Sequence, residues 1–254
     1  MIGRVETYIQ GVISQGKGVF MGLIDPGKQG PAEALELAQR LERGGADMIM
    51  LGGSIGAQGP VVDESAKLIK EHVKIPLHLF PGNVGNLTGF ADSMYFMSLL
   101  NSKNHYWISG AQSLGAQVVK ENGIEAIPTA YLVFEPGETV GRVGEANLLP
   151  RDKPDLAVAY SLAAQYFGMR FVILESGSGS PVHVSPDIIR AVRKHTELTI
   201  VVAGGIKTPE QARLLVEAGA NCIHIGTRIE GGDESVIREF ARAIHLEGKR
   251  PQRT

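Results

Sequence analysis

Several short groups of residues in this chain have the types and spacing to do chemistry. Two apolar stretches, Thr199 to Ala203 and Cys222 to Ile225, run into Gly204-Gly205 and Gly226-Thr227. Glycine lets backbone approach a ligand closely, and unpaired N–H groups at successive strand ends make a nest for a phosphate. Asp25 follows the apolar run Gly18 to Ile24, where a carboxylate has no packing reason to sit, and Ser54 follows Asp47 to Leu51 after Gly52-Gly53. One carboxylate and one hydroxyl cannot close a site around a metal. They suit Mg2+, which keeps waters and takes substrate phosphate oxygens as further ligands. Glu175 opens the hydroxyl- and glycine-rich loop Ser176-Gly177-Ser178-Gly179-Ser180, where it can bind a polyol or accept a proton. Structural assignments compete with these: Asp25-Pro26 as a turn, Ser54 as a local cap, and Glu175 as an ion-pair partner of Lys207 or Arg228.

Composition removes other chemistries. The formal net charge of -2 over 254 residues, with no long Lys/Arg block, argues against nucleic acid as a partner. The seven histidines show no H-x-x-x-H spacing, which disfavours zinc, and His78 and His224 lie within strand patterns, where a core histidine is expected. The single cysteine, Cys222, sits in an apolar strand, so no intrachain disulfide forms and a reducing, intracellular setting fits. There is no G-x-S-x-G elbow, and GGSIGAQG at 52–59 lacks the spacing of a dinucleotide fingerprint. The N-terminus has no signal-peptide core, and no stretch reaches the roughly 18 apolar residues that span a bilayer, so a soluble protein is expected.

For these distant groups to meet, the elements carrying them must bring several strand ends to one place. The chain alternates apolar strand runs with amphipathic stretches: Glu6 to Gln15 reads as a short helix over one barrel end, Gly18 to Ile24 as a strand, Ala32 to Arg43 as a helix opened by Pro31 and closed by Gly44-Gly45, and Asp47 to Leu51 as a strand. A helix over Val61 to His72 and a strand over Ile75 to Phe80 follow. Then Asn83 to Asp92 is too short and glycine-rich for a full crossover helix before the strand Ser93 to Ser98. Residues 104–122 read as one long helix with Trp107, Ile108, Leu114 and Val118 on or near its inner face, followed by a strand over Pro128 to Phe134. The loop Glu135 to Asp152 is long, charged and rich in glycine, which suits a cover over a substrate, with Arg142 and Arg151 as candidate phosphate contacts. Helices over Pro154 to Phe167, Pro186 to Thr196 and Glu234 to His245, strands over Arg170 to Leu174, Thr199 to Ala203 and Cys222 to Ile225, and a helix opened by Thr208-Pro209 with Gln211 as its capping-box residue complete the count, and the tail from Gly248 is polar. Eight strands in about this length make an α/β chain, a (β/α)8 TIM barrel with a reduced third helix and one domain over residues 1–254. In such a barrel all C-terminal strand ends share one rim.

The motifs Leu23-Ile24-Asp25-Pro26, Gly52-Gly53-Ser54, Leu79-Phe80-Pro81-Gly82, Phe96 to Ser102, Ala130-Tyr131-Leu132-Val133, Gly141 to Ala146, Glu175 to Gly179 and Gly204-Gly205-Ile206, taken together, closely resemble the geranylgeranylglyceryl phosphate synthase family, the longer of its two groups, over roughly residues 17–230. The resemblance implies a prenyltransferase that joins sn-glycerol 1-phosphate to geranylgeranyl diphosphate and releases diphosphate. It implies that Asp25 and Ser54 hold Mg2+, with Asp25 and Glu175 as catalytic residues and Glu175 as the base. Glu175, Ser176, Gly177, Gly204, Gly205, Gly226 and Thr227 would bind the glycerol phosphate. It further implies a cytoplasmic homo-oligomer, dimer or hexamer, with peripheral membrane contact for the lipid product. The chief rival is a barrel enzyme acting on a small sugar phosphate, which needs a catalytic lysine or second carboxylate in a short closed pocket. The chain departs from the family pattern at Ile173, where a tyrosine is common two residues before the glutamate, and at Ala203, where a third glycine is common.

Overall fold

Side chains on a strand alternate between faces, and in a closed barrel that alternation separates two cores. The computed structural model describes residues 2–53, 59–231 and 233–245. Its parallel strands are β1 (Val19–Ile24), β2 (Met48–Leu51), β3 (Leu77–Leu79), β4 (Ser93–Leu99), β5 (Glu125–Val133), β6 (Phe171–Glu175), β7 (Thr199–Ala203) and β8 (Cys222–Ile225), in sequence order around a closed barrel. Val19 pairs with Cys222 to complete the ring. Val19, Met21, Met48, Met50, Phe171 and Ile173 pack in one cluster inside the barrel. Phe20, Ile49, Leu51, Val172 and Leu174 pack outside it, against the helices. Burial on both faces is why these strands read as continuous apolar runs. The same alternation carries Asp25 and Glu175 to the mouth on the inward phase of β1 and β6.

Helix α1 (Arg4–Ser14) closes the opposite end, with Val5, Ile9 and Val12 in the interior cluster. Glu6 accepts two hydrogen bonds of 2.6 Å from Arg170, and the Glu125 carboxylate accepts the N–H groups of Val5 and Glu6 at 2.7 and 2.8 Å, a negative charge at the positive end of the helix. The outer ring contains α2 (Pro31–Gly44), α3 (Pro60–His72), α4 (Ala111–Glu121), α6 (Pro154–Tyr166), α7 (Pro186–His195), α8 (Pro209–Glu217) and α10 (Glu234–Ile244), while the short α5 (Glu138–Val143) and α9 (Thr227–Glu230) lie in the loops after β5 and β8. The expected capping box of α8 forms, with Thr208 Oγ1 accepting the Gln211 N–H at 3.3 Å.

Between β3 and β4 there is only a single 3-10 turn, Val84–Asn86, as the short glycine-rich segment predicts. Asn83 caps this turn and its side-chain oxygen accepts the Tyr106 hydroxyl at 2.7 Å, tying the gap to the next element. That next element corrects the sequence reading. Residues 104–122 are not one regular helix: Tyr106–Gly110 form a π turn before α4 begins. The wide turn resets the helical phase. Gly115 and Val119 face inward, while Leu114 is 65% exposed and Val118 38% exposed. Strand β5 also begins three residues earlier than its apolar run suggests, because Glu125 and Ala126 pair with Ser93 and Met94.

Candidate active site

Asp25, Phe80, Trp107, Tyr131, Glu175, Gly204 and Thr227, though far apart in sequence, line one cavity of about 390 Å³ at the C-terminal rim of the barrel. Its wall toward β3 and β4 is apolar, with Phe80, Leu87, Met94, Phe96, Trp107 and Val119 filling the space opened by the missing helix. The loop after β5, expected as a cover over a substrate, borders the cavity and is anchored by hydrogen bonds. Asn101 donates to the carbonyls of Val133 and Asn147, each at 2.9 Å, and Ser102 Oγ donates to Gly144 at 2.6 Å, so that Val140, Val143 and Gly144 of this loop line the cavity. The two arginines of the loop do not line it. Arg142 reaches Thr139 at 3.4 Å, and Arg151 donates to the His183 carbonyl at 2.9 Å.

Glu175, the last residue of β6, is 5% exposed. Its Oε1 accepts the Gly177 N–H at 2.6 Å and its Oε2 accepts the Tyr131 hydroxyl at 3.3 Å. Burial pushes its pKa up to about 7, while the donors from Gly177 and Tyr131 pull the other way. A carboxylate with this proton affinity can exchange a proton near neutral pH. The ion pair with Lys207 or Arg228 that would have made Glu175 structural is not among its contacts; both cations line the cavity nearby. Tyr131 is the functional neighbour that sequence reasoning missed, since it lies 44 residues from Glu175 on another strand.

Gly204 explains its own identity. It has φ of +80°, and a Cβ there would come within 2.3 Å of Glu175 Oε1 and 2.7 Å of the Gly177 backbone. Among the described residues no hydrogen bond occupies the backbone N–H groups of Gly204, Gly205 or Gly226, and all three glycines line the cavity with Thr227. Gly226 has ordinary space for a Cβ, 3.4 Å from Leu23, so its value is an open N–H rather than a steric need. Two predicted binding residues behave differently from the expectation. Ser176 has both backbone groups bonded, to Ala203 and Gly137, and a fully buried hydroxyl, and it does not line the cavity. Gly177 spends its N–H on Glu175. Gly177 holds the carboxylate, and Ser176 turns away from the cavity because residue 176 falls on the outward phase of the strand.

Asp25 lines the cavity on the opposite side, with Oδ1 accepting the Gly27 N–H at 3.0 Å and Oδ2 3.9 Å from Lys28 Nζ. Lys28 also meets Glu230 at 3.2 Å. Burial raises the Asp25 pKa against the lowering effects of Gly27 and Lys28, with Glu230 adding a further rise. Gly53 leaves room for this carboxylate, since a Cβ there would sit 2.2 Å from Oδ1. Ser54 and the tail from Gly248 lie outside the described residues. His224, on the cavity wall, meets the Tyr95 hydroxyl at 3.1 Å, and His78 meets Ser93 at 2.7 Å; burial pushes both imidazoles down to about 3, so they are neutral core groups as expected.

A parallel eight-stranded barrel with open amides at two strand ends, a buried carboxylate beside them and an apolar cleft leading away defines the class: a phosphate-binding (β/α)8 enzyme with room for a long apolar co-substrate. The chain belongs to the PcrB family, which matches residues 13–244. It is 51% identical over 229 residues, 90% of each chain, to geranylgeranylglyceryl phosphate synthase of Thermococcus gammatolerans, and 46% identical over 243 residues to the same enzyme of Methanothermobacter thermautotrophicus, covering 95% of this chain and 98% of that one. Its fold matches the crystal structure of (S)-3-O-geranylgeranylglyceryl phosphate synthase from Thermoplasma acidophilum in complex with sn-glycerol-1-phosphate, with a TM-score of 0.91 and 40% identity over 96% of this chain and 99% of that chain.

Proposed function

We propose that the protein joins sn-glycerol 1-phosphate to geranylgeranyl diphosphate through an ether bond and releases diphosphate, with Mg2+ as cofactor. The observation that carries this reading is the position of Glu175, a buried carboxylate between open backbone amides and an apolar cleft. The acceptor's phosphate is assigned to the amides of Gly204, Gly205, Gly226 and Thr227, with Lys207 and Arg228 adding positive charge. Glu175 then orients the free hydroxyl of the glycerol. As that oxygen attacks the allylic carbon of the prenyl chain, its proton passes to Glu175, and the allylic C–O bond breaks with its electron pair leaving on diphosphate. Phe80, Leu87, Phe96, Trp107 and Val119 hold the tail and keep water from the developing cation.

The donor set around Asp25 fits Mg2+. A carboxylate completed by diphosphate oxygens and water is a set of hard oxygen donors, the kind Mg2+ takes. Asp25, with Ser54, would hold it, and when bound it neutralises the leaving group's charge. A sugar-phosphate isomerase or aldolase is disfavoured because the cavity opens into an apolar cleft where such an enzyme needs a short closed pocket. The cellular setting proposed is the cytoplasm, with the protein a homo-oligomer, dimer or hexamer, that meets the membrane peripherally to release its product. No helix among the described residues is long and apolar enough to cross a membrane, and the exposed apolar side chains of Leu114, Tyr166 and Phe167 are the surfaces we propose for contact between copies.

The test is an assay with radiolabelled sn-glycerol 1-phosphate and prenyl diphosphates of several lengths, with and without Mg2+. Label should move into the organic phase, most with the twenty-carbon donor and only with Mg2+. No extractable product at any chain length would overturn the function; equal product without the metal would overturn the cofactor.

A further inference from the structure

We infer that Tyr131 is the positioning residue of the Glu175 carboxylate: its phenol, delivered from the neighbouring strand, fixes the orientation of the base and favours the anionic form that accepts the proton. The inference rests on the reading of Glu175 as the base.

Strand register puts the phenol there. Tyr131 pairs with Ile173, and Val133 pairs with Glu175. Glu175 thus lies two residues further along the inward face, about 6.6 Å at a strand's usual rise. A tyrosine ring spans such a step. The apolar residue directly opposite the carboxylate, Val133, has no donor to offer. Position 173 on the glutamate's own strand carries isoleucine, so no phenol comes from there. The neighbouring strand supplies one instead.

Both carboxylate oxygens are consequently engaged, Oε1 by Gly177 N–H at 2.6 Å and Oε2 by Tyr131 at 3.3 Å, which opposes rotation of the carboxylate plane. The phenol is itself restrained. Tyr131 is 7% exposed and meets the edge of Phe80 at a ring separation of 5.7 Å. Burial and the charge of Glu175 hold its pKa well above the usual tyrosine value, so it remains a donor wherever the enzyme works. The other titratable and charged groups about the carboxylate are Glu138, whose side-chain carbons lie close to Gly177, and Asp25, Lys28, Lys207, His224, Arg228 and Glu230 around the same cavity. Of these, His224 is neutral. None of them contacts the carboxylate; Tyr131 does.

A donor to the charged form lowers a carboxylate's pKa, so removing it must raise that pKa. The experiment compares pH–rate profiles of the wild type, Tyr131→Phe and Glu175→Gln, measured as kcat/KM for sn-glycerol 1-phosphate with saturating prenyl donor and Mg2+. In Tyr131→Phe the acid limb should move up by about one pH unit, which lowers the rate on that limb about tenfold, with recovery toward wild type at high pH. Glu175→Gln should be inactive at every pH. If Glu175→Gln retains activity, the base assignment fails. If it is inactive while Tyr131→Phe keeps the wild-type limb, the positioning role fails and the base assignment stands. Circular dichroism checks the fold of each variant. Should Tyr131→Phe not fold, 3-fluorotyrosine introduced at residue 131 keeps the packing and strengthens the donor; the limb should then move to lower pH, and an unmoved limb overturns the inference.

Discussion

On the β6 to β8 side of the barrel mouth, the cavity is lined by open backbone amides, the Glu175 carboxylate and the cations Lys207 and Arg228. On the β3 to β4 side the wall is apolar, and a three-residue turn stands where other strands are followed by a helix. The first side is made by placing polar groups with little tolerance: Gly204 has neither the φ nor the room for any other residue. The second is made by leaving an element out, and its side chains need only be apolar and of the right bulk. The difference teaches that an acceptor phosphate can be recognised by geometry, whereas a long hydrocarbon tail is recognised by space and by exclusion of water. Mutations on the two sides should therefore fail in different ways.

Glu175→Gln should have the largest effect, a loss of about 10³-fold or more in kcat. It should also separate function from stability. The folded-state pKa is raised from the ordinary 4.5 to about 7, so the acid's contribution is fully present below pH 4.5 and is lost as pH rises through 7. The neutral amide avoids that loss. Urea unfolding should find the variant more stable than wild type at pH 8, by an amount on the order of 2–3 kcal/mol, with the advantage shrinking toward pH 4.5. A wild-type stability that rises between pH 5 and 8 through this residue would contradict the raised pKa.

Asp25→Asn should cost about a hundredfold in turnover at low Mg2+ and recover in part as Mg2+ increases, with little change in thermal unfolding; a collapse of stability would assign Asp25 to the fold instead. Gly204→Ala should raise KM for sn-glycerol 1-phosphate by tenfold or more and destabilise the protein by about 1–3 kcal/mol, since the new methyl meets the carboxylate and the positive φ is strained. The KM for the prenyl donor should hardly move. If both change equally, the two sides are not separate.

The opposite wall is tested by Gly115→Leu, at a position where even a Cβ would lie 3.1 Å from Leu87. Turnover with a twenty-carbon donor should fall about tenfold relative to a ten-carbon donor, with KM for the glycerol phosphate unchanged. Leu114→Ser, one residue away but 65% exposed, should alter monomer stability by less than about 0.5 kcal/mol, and sedimentation should reveal whether the side chain helps join copies of the chain.

Much of this was legible beforehand because it depends on local pattern. The continuous apolar runs identify strands buried on both faces, a glycine pair follows β7 and the single Gly226 precedes the helix after β8, and proline with Thr208 and Gln211 opens α8. The reduced element between β3 and β4 was legible for the same reason. The inner face of α4 was not. A single π turn at Tyr106–Gly110 shifts the phase, exchanging the expected Leu114 and Val118 for Gly115 and Val119, and the hydrogen-bond spacing that makes such a turn has no strong residue signature. Ser176 stands beside Glu175 and Gly177 in sequence, but strand alternation turns it away from the cavity.

The sequence by itself determined the parallel barrel and the places where a carboxylate or an open amide would reach its rim, because alternation, capping and glycine chemistry act within a few residues. Only the tertiary structure decided what Glu175 is. Its raised pKa comes from burial assembled by the whole barrel, and its phenol partner comes from the register of β5 on β6, which joins residues 44 positions apart. Dielectric environment and strand register are collective properties of the folded chain, and no neighbouring residue encodes them.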